Sequence, residues 1–376
     1  MKILYLFRSL AVWGGIERIL VDKMNWLASK GGIEVYMLTT DQGDHPIPYQ
    51  VNNKVHIEDL GINFHRKYQL GYLKRMGISC LMRHQYKKSL SDCINRIQPD
   101  AIVCTTADPI DIITGIKGRV PLVVESHSIC SRTIEQGKYA VLRKYRRFKY
   151  LKSLSKADSV VALTEGDAEE WRHFHYHVKV IPNMLHPYPC KIEPSSLTSK
   201  RVIWVGRFDY QKRAEVAIGI WKQVANRYPD WCLDIYGEGE YESEVTLMAS
   251  STQNVSVHKP TSRIFNFYSN SSILISTSLF EPFGLVIAEA MSCGLPVVSF
   301  DCPYGPATII NKGVNGFLIP FDNMQCFAEK LSLLIEDTSL RKQMGQAALD
   351  SSGRFNADLV MPQWMALFEE LTKKHN

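Results

Sequence analysis

No CxxC pair occurs in this sequence, and its nine cysteines form an odd set without regular spacing. That excludes a disulfide framework and a zinc module, and it predicts free thiols in a reducing compartment. No apolar run approaches the roughly eighteen residues of a membrane span. The opening MKILYLFRSL holds five apolar residues between Lys2 and Arg8, fewer than a signal-peptide core needs. Repeats and low-complexity tracts are absent too. A soluble, cytoplasmic protein is expected.

What is present is ordinary globular material, with 45% hydrophobic and 22% charged residues. At 376 residues the chain exceeds one ordinary core, so two domains are expected. The charge is unequal. Residues 1–180 carry 27 Lys+Arg against 18 Asp+Glu, whereas residues 181–376 carry 17 against 20. The two halves therefore present different surfaces.

Short β-branched runs alternate with helical patterns. Strands are predicted at KILYLF, IEVYMLT, AIVCT, PLVVES, DSVVAL and VKVIP in the first half. In the second they fall at RVIWVG, CLDIYG, NVSVH, ILIST, PVVSF and GFLI. Apolar strands without strict alternation, separated by helices, indicate α/β domains with parallel sheets covered on both faces. Residues 16–27 show the helical period, with Ile16, Ile19, Leu20, Met24 and Leu27 on one face and Gly31 as the stop. Residues 183–200, NMLHPYPCKIEPSSLTSK, are rich in proline and serine and aperiodic, and read as a linker. Six strands before it and six after predict two Rossmann-like domains, 1–183 and 200–354, followed by a C-terminal segment 355–376. In that segment Met361, Trp364, Leu367, Phe368 and Leu371 form an apolar face. Ligands of such sheets lie at the carboxyl ends of the strands, which makes the cleft between domains the expected active site.

The stretch EPFGLVIAEAMSCGLP, residues 281–296, sets Glu281 before a Pro-Phe-Gly turn and Glu289 inside an apolar helix. Gly284 opens that helix, whose first amides and partial positive charge favour an anion. A carboxylate at Glu289 suits vicinal hydroxyls; the plainer alternative is a solvated or salt-bridged pair of glutamates. VGRFDYQKR, 205–213, places Arg207 and Lys212 after a strand, where two cations suit a diphosphate. A solvated basic turn is the plainer alternative there. In WGGIER, Gly14 and Gly15 lie between the first strand and the first helix and permit close backbone approach. His127, in VVESHS, follows another strand.

Taken together, these residues resemble the retaining glycosyltransferases of family 4, with the GT-B fold. The resemblance covers essentially the whole chain and is most specific at Glu281–Glu289, at GRFDYQK and at GGIER. DCPYGPATIINKGVNGFLI is similar to the family's downstream segment, but Gly305-Pro306 and Thr308 replace its usual glycine pair and glutamate.

The resemblance implies that Arg207 and Lys212 bind the diphosphate of a nucleotide-sugar donor, UDP-linked, and Glu289 its ribose. Glu281, with the amides of Phe283, Gly284 and Leu285, holds the sugar. The Gly14–Gly15 turn approaches the phosphates, and His127 lies near the sugar being transferred. His127, Glu281, Arg207 and Lys212 are the catalytic set. The resemblance also implies a front-face attack, and a last helix that packs back on the first domain. No isolated DxD motif appears, so no metal or other cofactor is expected. The implied acceptor is a glycan or lipid-linked glycan, in cell-surface polysaccharide synthesis.

Other readings are weaker. A dehydrogenase needs G-x-G-x-x-G, and GEGEYE at 237–242 lacks the third glycine. A GT-B epimerase shares the diphosphate logic and differs in acting without an acceptor. An inactive partner subunit has no need for the four charged residues together. Nucleic-acid binding has no recognised module here and is not expected. Residues 137–157 hold eight Lys/Arg and no acid, interleaved with Tyr139, Leu142, Tyr145, Phe148, Tyr150 and Leu151. Residues 60–91 add seven Lys/Arg, including Lys87 and Lys88. These stretches predict docking on an anionic membrane surface, at the inner face of the cell membrane.

Overall fold

The computed structural model of the protein describes residues 1–135, 140–186 and 193–375, with the backbone alone at 72, 73, 140 and 142. Tyr139, the side chain of Leu142 and linker residues 187–192 therefore lie outside the described residues. The chain forms two compact units, Met1–Met184 with Ala357–Asn376, and Leu185–Asn356.

The first unit is built on seven parallel strands: β1 (Lys2–Phe7), β2 (Glu34–Thr39), β3 (Val55–Asp59), β4 (Ala101–Thr105), β5 (Leu122–Glu125), β6 (Ser159–Ala162) and β7 (Val178–Val180). Their order is β3-β2-β1-β4-β5-β6-β7. Successive side chains of β1 enter opposite cores. Ile3 and Tyr5 join one with Met24, Trp364 and Phe368, while Leu4 and Leu6 join the other with Ile102, Val124 and Trp171. Both faces are covered, so the strands read as unbroken apolar runs.

Three sequence expectations need correction in this unit. Seven strands form, not six; β3 is an edge strand with only Val55 buried, so it lacks an apolar run. The first helix spans Gly15–Ser29, and Ile16 is 36% exposed because it precedes the stretch that packs. Its buried face instead includes Lys23. The C-terminal helix spans Ala357–His375 and buries Met361, Trp364, Leu367, Phe368 and Leu371 in the first unit's core. Phe355 belongs to the second unit, where its ring packs edge-on against Phe283 at 5.2 Å.

The second unit holds six parallel strands: β8 (Arg201–Val205), β9 (Cys232–Tyr236), β10 (Val255–His258), β11 (Ile273–Ser276), β12 (Val297–Phe300) and β13 (Gly316–Ile319). Their order is β10-β9-β8-β11-β12-β13. Val202, Trp204, Leu233 and Ile235 pack on Ile218, Trp221, Phe327 and Leu331. The end of the expected linker is not free chain. Ser195 Oγ donates to the Ser271 carbonyl at 2.5 Å, and buried Leu197 accepts from Arg341 Nε at 3.1 Å through its carbonyl. Composition missed this because isolated contacts leave no periodicity.

Strand order reverses between β1 and β4 in one sheet and between β8 and β11 in the other. Loops leave opposite ways at such a point, which opens a crevice at the carboxyl ends. All described cysteines are free, and no described helix is long and apolar enough to cross a membrane.

Candidate functional site

The switch point of the second sheet brings the loops after β8 and β11 together. Trp204 Nε1 donates to Thr277 Oγ1 at 3.0 Å. That hydroxyl donates in turn to the carbonyls of Lys212 and Arg213, at 3.1 and 2.9 Å. Leu279 N donates to the Gln211 carbonyl at 2.8 Å, and Gln211 Nε2 to the Phe280 carbonyl at 3.1 Å. So anchored, Lys212 Nζ stands 2.5 Å from Glu281 Oε1. Ser278 Oγ donates to the same oxygen at 2.7 Å. Glu281 is nearly buried and Lys212 keeps partial exposure. Arg207, on the same loop, is turned outward with its side chain 66% exposed, and pairs with Asp209 at 2.8 Å.

Glu281 is held from behind as well. Its N–H donates to the Pro303 carbonyl at 2.7 Å, and its carbonyl accepts from Tyr304 and Gly305, each at 2.8 Å. A Cβ at Gly305 would lie 1.9 Å from the Phe283 carbonyl, so the crossing tolerates only glycine. The helix that follows spans Leu285–Ser292, with Gly284 before it at φ 93°, a left-handed conformation suited to glycine. The first amides of this helix precede its internal hydrogen-bond ladder, and its first residue follows Glu281 by four positions. The Phe283 side chain is buried in the core. Glu289 is buried one helical turn further on and accepts from Tyr268 Oη at 3.4 Å. Burial pushes the Cys293 and Cys302 thiols up to about 12, so both are inert thiols around neutral pH.

In the first unit, Gly14 and Gly15 lie where β1 leads into the first helix. Gly14 is extended, at φ −124°, a conformation any residue adopts, so backbone freedom does not account for it. Space does not demand it either: a Cβ there would meet only the tip of the flexible Glu17 side chain, which can swing aside. Tyr49 Oη donates to the Gly14 carbonyl at 2.9 Å and braces the turn.

His127 is not a lone histidine. Its Nε2 lies 2.8 Å from Glu125 Oε2, which also accepts from Lys23 Nζ. All three side chains are at least nine-tenths buried. Burial works to raise the Glu125 carboxyl, but Lys23 and His127 outweigh it and hold it at about 2.

Sequence reasoning found Lys212 and Glu281 but not their contact. It missed Ser278, Tyr268, Lys23 and Glu125 altogether. Glu125 had a visible signal, a carboxylate ending an otherwise apolar strand two residues before a histidine. Lys23 had one too, a cation on the buried arc of an apolar helix. Among the described residues, no group of three His, Cys, Asp or Glu is placed to hold a metal ion.

Comparison with known proteins follows the two units. Residues 13–187 match the family model described as Glycosyltransferase Family 4, and residues 191–350 match Glycosyl transferases group 1. An uncharacterized glycosyltransferase of Haemophilus influenzae is 27% identical over 97% of this chain and 99% of its own. The amylovoran biosynthesis glycosyltransferase AmsD of Erwinia amylovora is 25% identical over 96% and 98%. Among solved structures, S. aureus TarM bound to fondaparinux, α-GlcNAc-glycerol and UDP superposes with a TM-score of 0.77. That match has 15% identity and covers 98% of this chain and 99% of TarM.

Proposed function

Because the chain belongs to the family 4 glycosyltransferases of GT-B fold, we propose that it moves a hexose or N-acetylhexosamine from a UDP-linked sugar to a glycan or lipid-linked acceptor. The transfer proceeds with retention at the anomeric carbon and serves cell-surface polysaccharide synthesis. The observation that carries this reading is the Lys212–Glu281 contact at the β8/β11 switch point, beside the N-terminus of the Leu285–Ser292 helix. A cation, a carboxylate and unladdered amides at one sheet end suit a diphosphate joined to a hydroxyl-rich sugar. The UDP bound to TarM and the amylovoran role of AmsD support the donor and pathway classes.

In this reading Lys212 and Arg207 neutralise the leaving diphosphate, a task that needs no metal. Glu281 and the amides of Phe283, Gly284 and Leu285 orient the sugar, and Glu289 takes the ribose. The Gly14–Gly15 turn serves the phosphates and His127 the transferred sugar. Positioning and electrostatic stabilisation make up the catalysis. The C1–oxygen bond to the diphosphate breaks as the acceptor hydroxyl bonds to the same face of C1, and the hydroxyl proton leaves with the diphosphate.

The test is thermal stabilisation across a panel of nucleotide sugars, followed by the anomeric configuration of the product. A ligand at a hundred times its Kd adds about 2.7 kcal/mol. Turnover survives chelation. An inverted product removes retention; a new nucleotide sugar formed without acceptor identifies an epimerase.

The reading extends to peripheral docking on the anionic inner face of the cell membrane. On the helix Ala140–Leu154, Val141 is 82% exposed, and Tyr145 and Phe148 are 65% exposed. Spacings of four and three align them along one side, among cations. Tyr150 and Leu151, expected to share that role, are instead partly buried against the first unit's core. Asp111 joins this helix to Tyr72–Ile97, taking Lys149 at 3.3 Å and Arg83 at 2.6 Å. The second helix adds exposed Met76 and Leu81.

A further inference from the structure

A buried ion pair lies under His127. Lys23 reaches it from the helix Gly15–Ser29 and Glu125 from the end of β5. Their side chains are 4% and 1% exposed. Lys23 Nζ also sits 4.3 Å from the centroid of the Trp364 ring, on the C-terminal helix. Taking both charges out of water costs several kcal/mol per ion, and apolar replacements of similar volume often fold as well or better. Stability is therefore a weak reason for this pair.

Its polar bookkeeping is also incomplete for a purely structural device. Glu125 Oε1 and the hydroxyl of Tyr5 are both buried without a hydrogen-bond partner. The other carboxylate oxygen, Oε2, serves two groups, accepting from Lys23 and meeting His127 Nε2 at 2.8 Å. The carboxylate is thus aimed at the histidine.

A carboxylate can only accept at that distance, so the proton stands on Nε2. The ring plane and tautomer follow, and Nδ1 becomes the edge available for other work. Lys23 keeps the carboxylate ionised in a place where burial alone would neutralise it. We propose that Glu125, held by Lys23, is a positioning residue that fixes the Nε2-protonated tautomer and ring orientation of His127 for glycosyl transfer. The proposal rests on the reading of His127 given above. It assigns Glu125 the role of a carboxylate that holds an imidazole in place, without itself meeting the sugar.

The experiment compares wild type, Glu125→Asp and the double variant Lys23→Met/Glu125→Met in the full chain. The double variant leaves no unpaired buried charge and so protects the fold. Nitrogen-15 NMR of histidine-labelled protein reads the His127 tautomer, with His127→Gln identifying the signal. The double variant is expected to lose the Nε2-protonated signature. Its kcat should fall roughly tenfold or more while donor KM stays within about twofold. Glu125→Asp keeps the charge but withdraws it by one methylene, and should fall between the two. A His127 spectrum unchanged in the double variant overturns the proposal, and so does an altered spectrum with unaltered kcat. Wild-type kcat in His127→Gln overturns instead the role read for His127, a failure separable because the tautomer is measured without turnover.

Discussion

Lys212 and Glu281 lie 69 positions apart in sequence, yet their charged atoms stand 2.5 Å apart at the point where the second sheet reverses its strand order. The pair ties the cationic loop after β8 to the carboxylate loop after β11. Each side chain therefore fixes where the other can meet a ligand.

Replacing Lys212 by alanine should weaken donor use more than replacing Arg207. A charge-assisted bond contributes about 1.5–3 kcal/mol, or roughly a ten- to hundredfold effect. Arg207 is largely exposed and should fall at the lower end of that range. Steady-state kinetics with thermal melts checks both the effect and the intact fold. Unchanged kinetics in both variants would remove the diphosphate assignment.

The two glutamates should separate by ligand. Glu289→Gln is expected to lower the affinity for free UDP by about tenfold, in line with the loss of one charge-assisted hydrogen bond. Glu281→Gln should spare UDP affinity and impair use of the sugar. Calorimetry with UDP alone decides the matter, and the reverse pattern would exchange the two roles.

Glu125 links the first unit to pH. Its folded value of about 2 lies below the ordinary 4.5, so the folded state favours the ionised form. This preference for the ionised form is fully expressed above about pH 4.5 and disappears as pH falls towards about 2. Urea unfolding between pH 5 and pH 3 should show the loss in wild type and a shallower one in Lys23→Met/Glu125→Met. Parallel curves would contradict it.

Membrane docking should need both parts of the Ala140–Leu154 surface. Reversing Arg143, Lys144 and Arg146 to glutamate, or changing Val141, Tyr145 and Phe148 to serine, should each release the protein from anionic vesicles. Salt should do the same, since screening shortens to about 3 Å at 1 M. Arg147 lies over the Phe174 ring at 5.3 Å and is left unchanged to protect packing. Sedimentation indifferent to all three treatments would end the idea.

By itself, the sequence determined the alternation of buried strands and helices, because uniform burial on two sheet faces leaves unbroken apolar runs such as AIVCT and ILIST. It also marked the ends of β8 and β11 as chemical, since Arg207, Lys212 and Glu281 follow apolar strands at glycine-bearing turns. Edge strand β3 escaped notice because one buried residue, Val55, makes no pattern. Tertiary structure alone decided the partnerships. Lys212 meets Glu281 because the crossover sets β11 beside β8, and Lys23 of the first helix meets Glu125 at the end of β5 across 102 positions of sequence. Tyr268 reaches Glu289 from another helix. Periodicity records which face of an element is buried, whereas a contact between distant residues depends on the order in which the strands pair, and no local pattern carries that order.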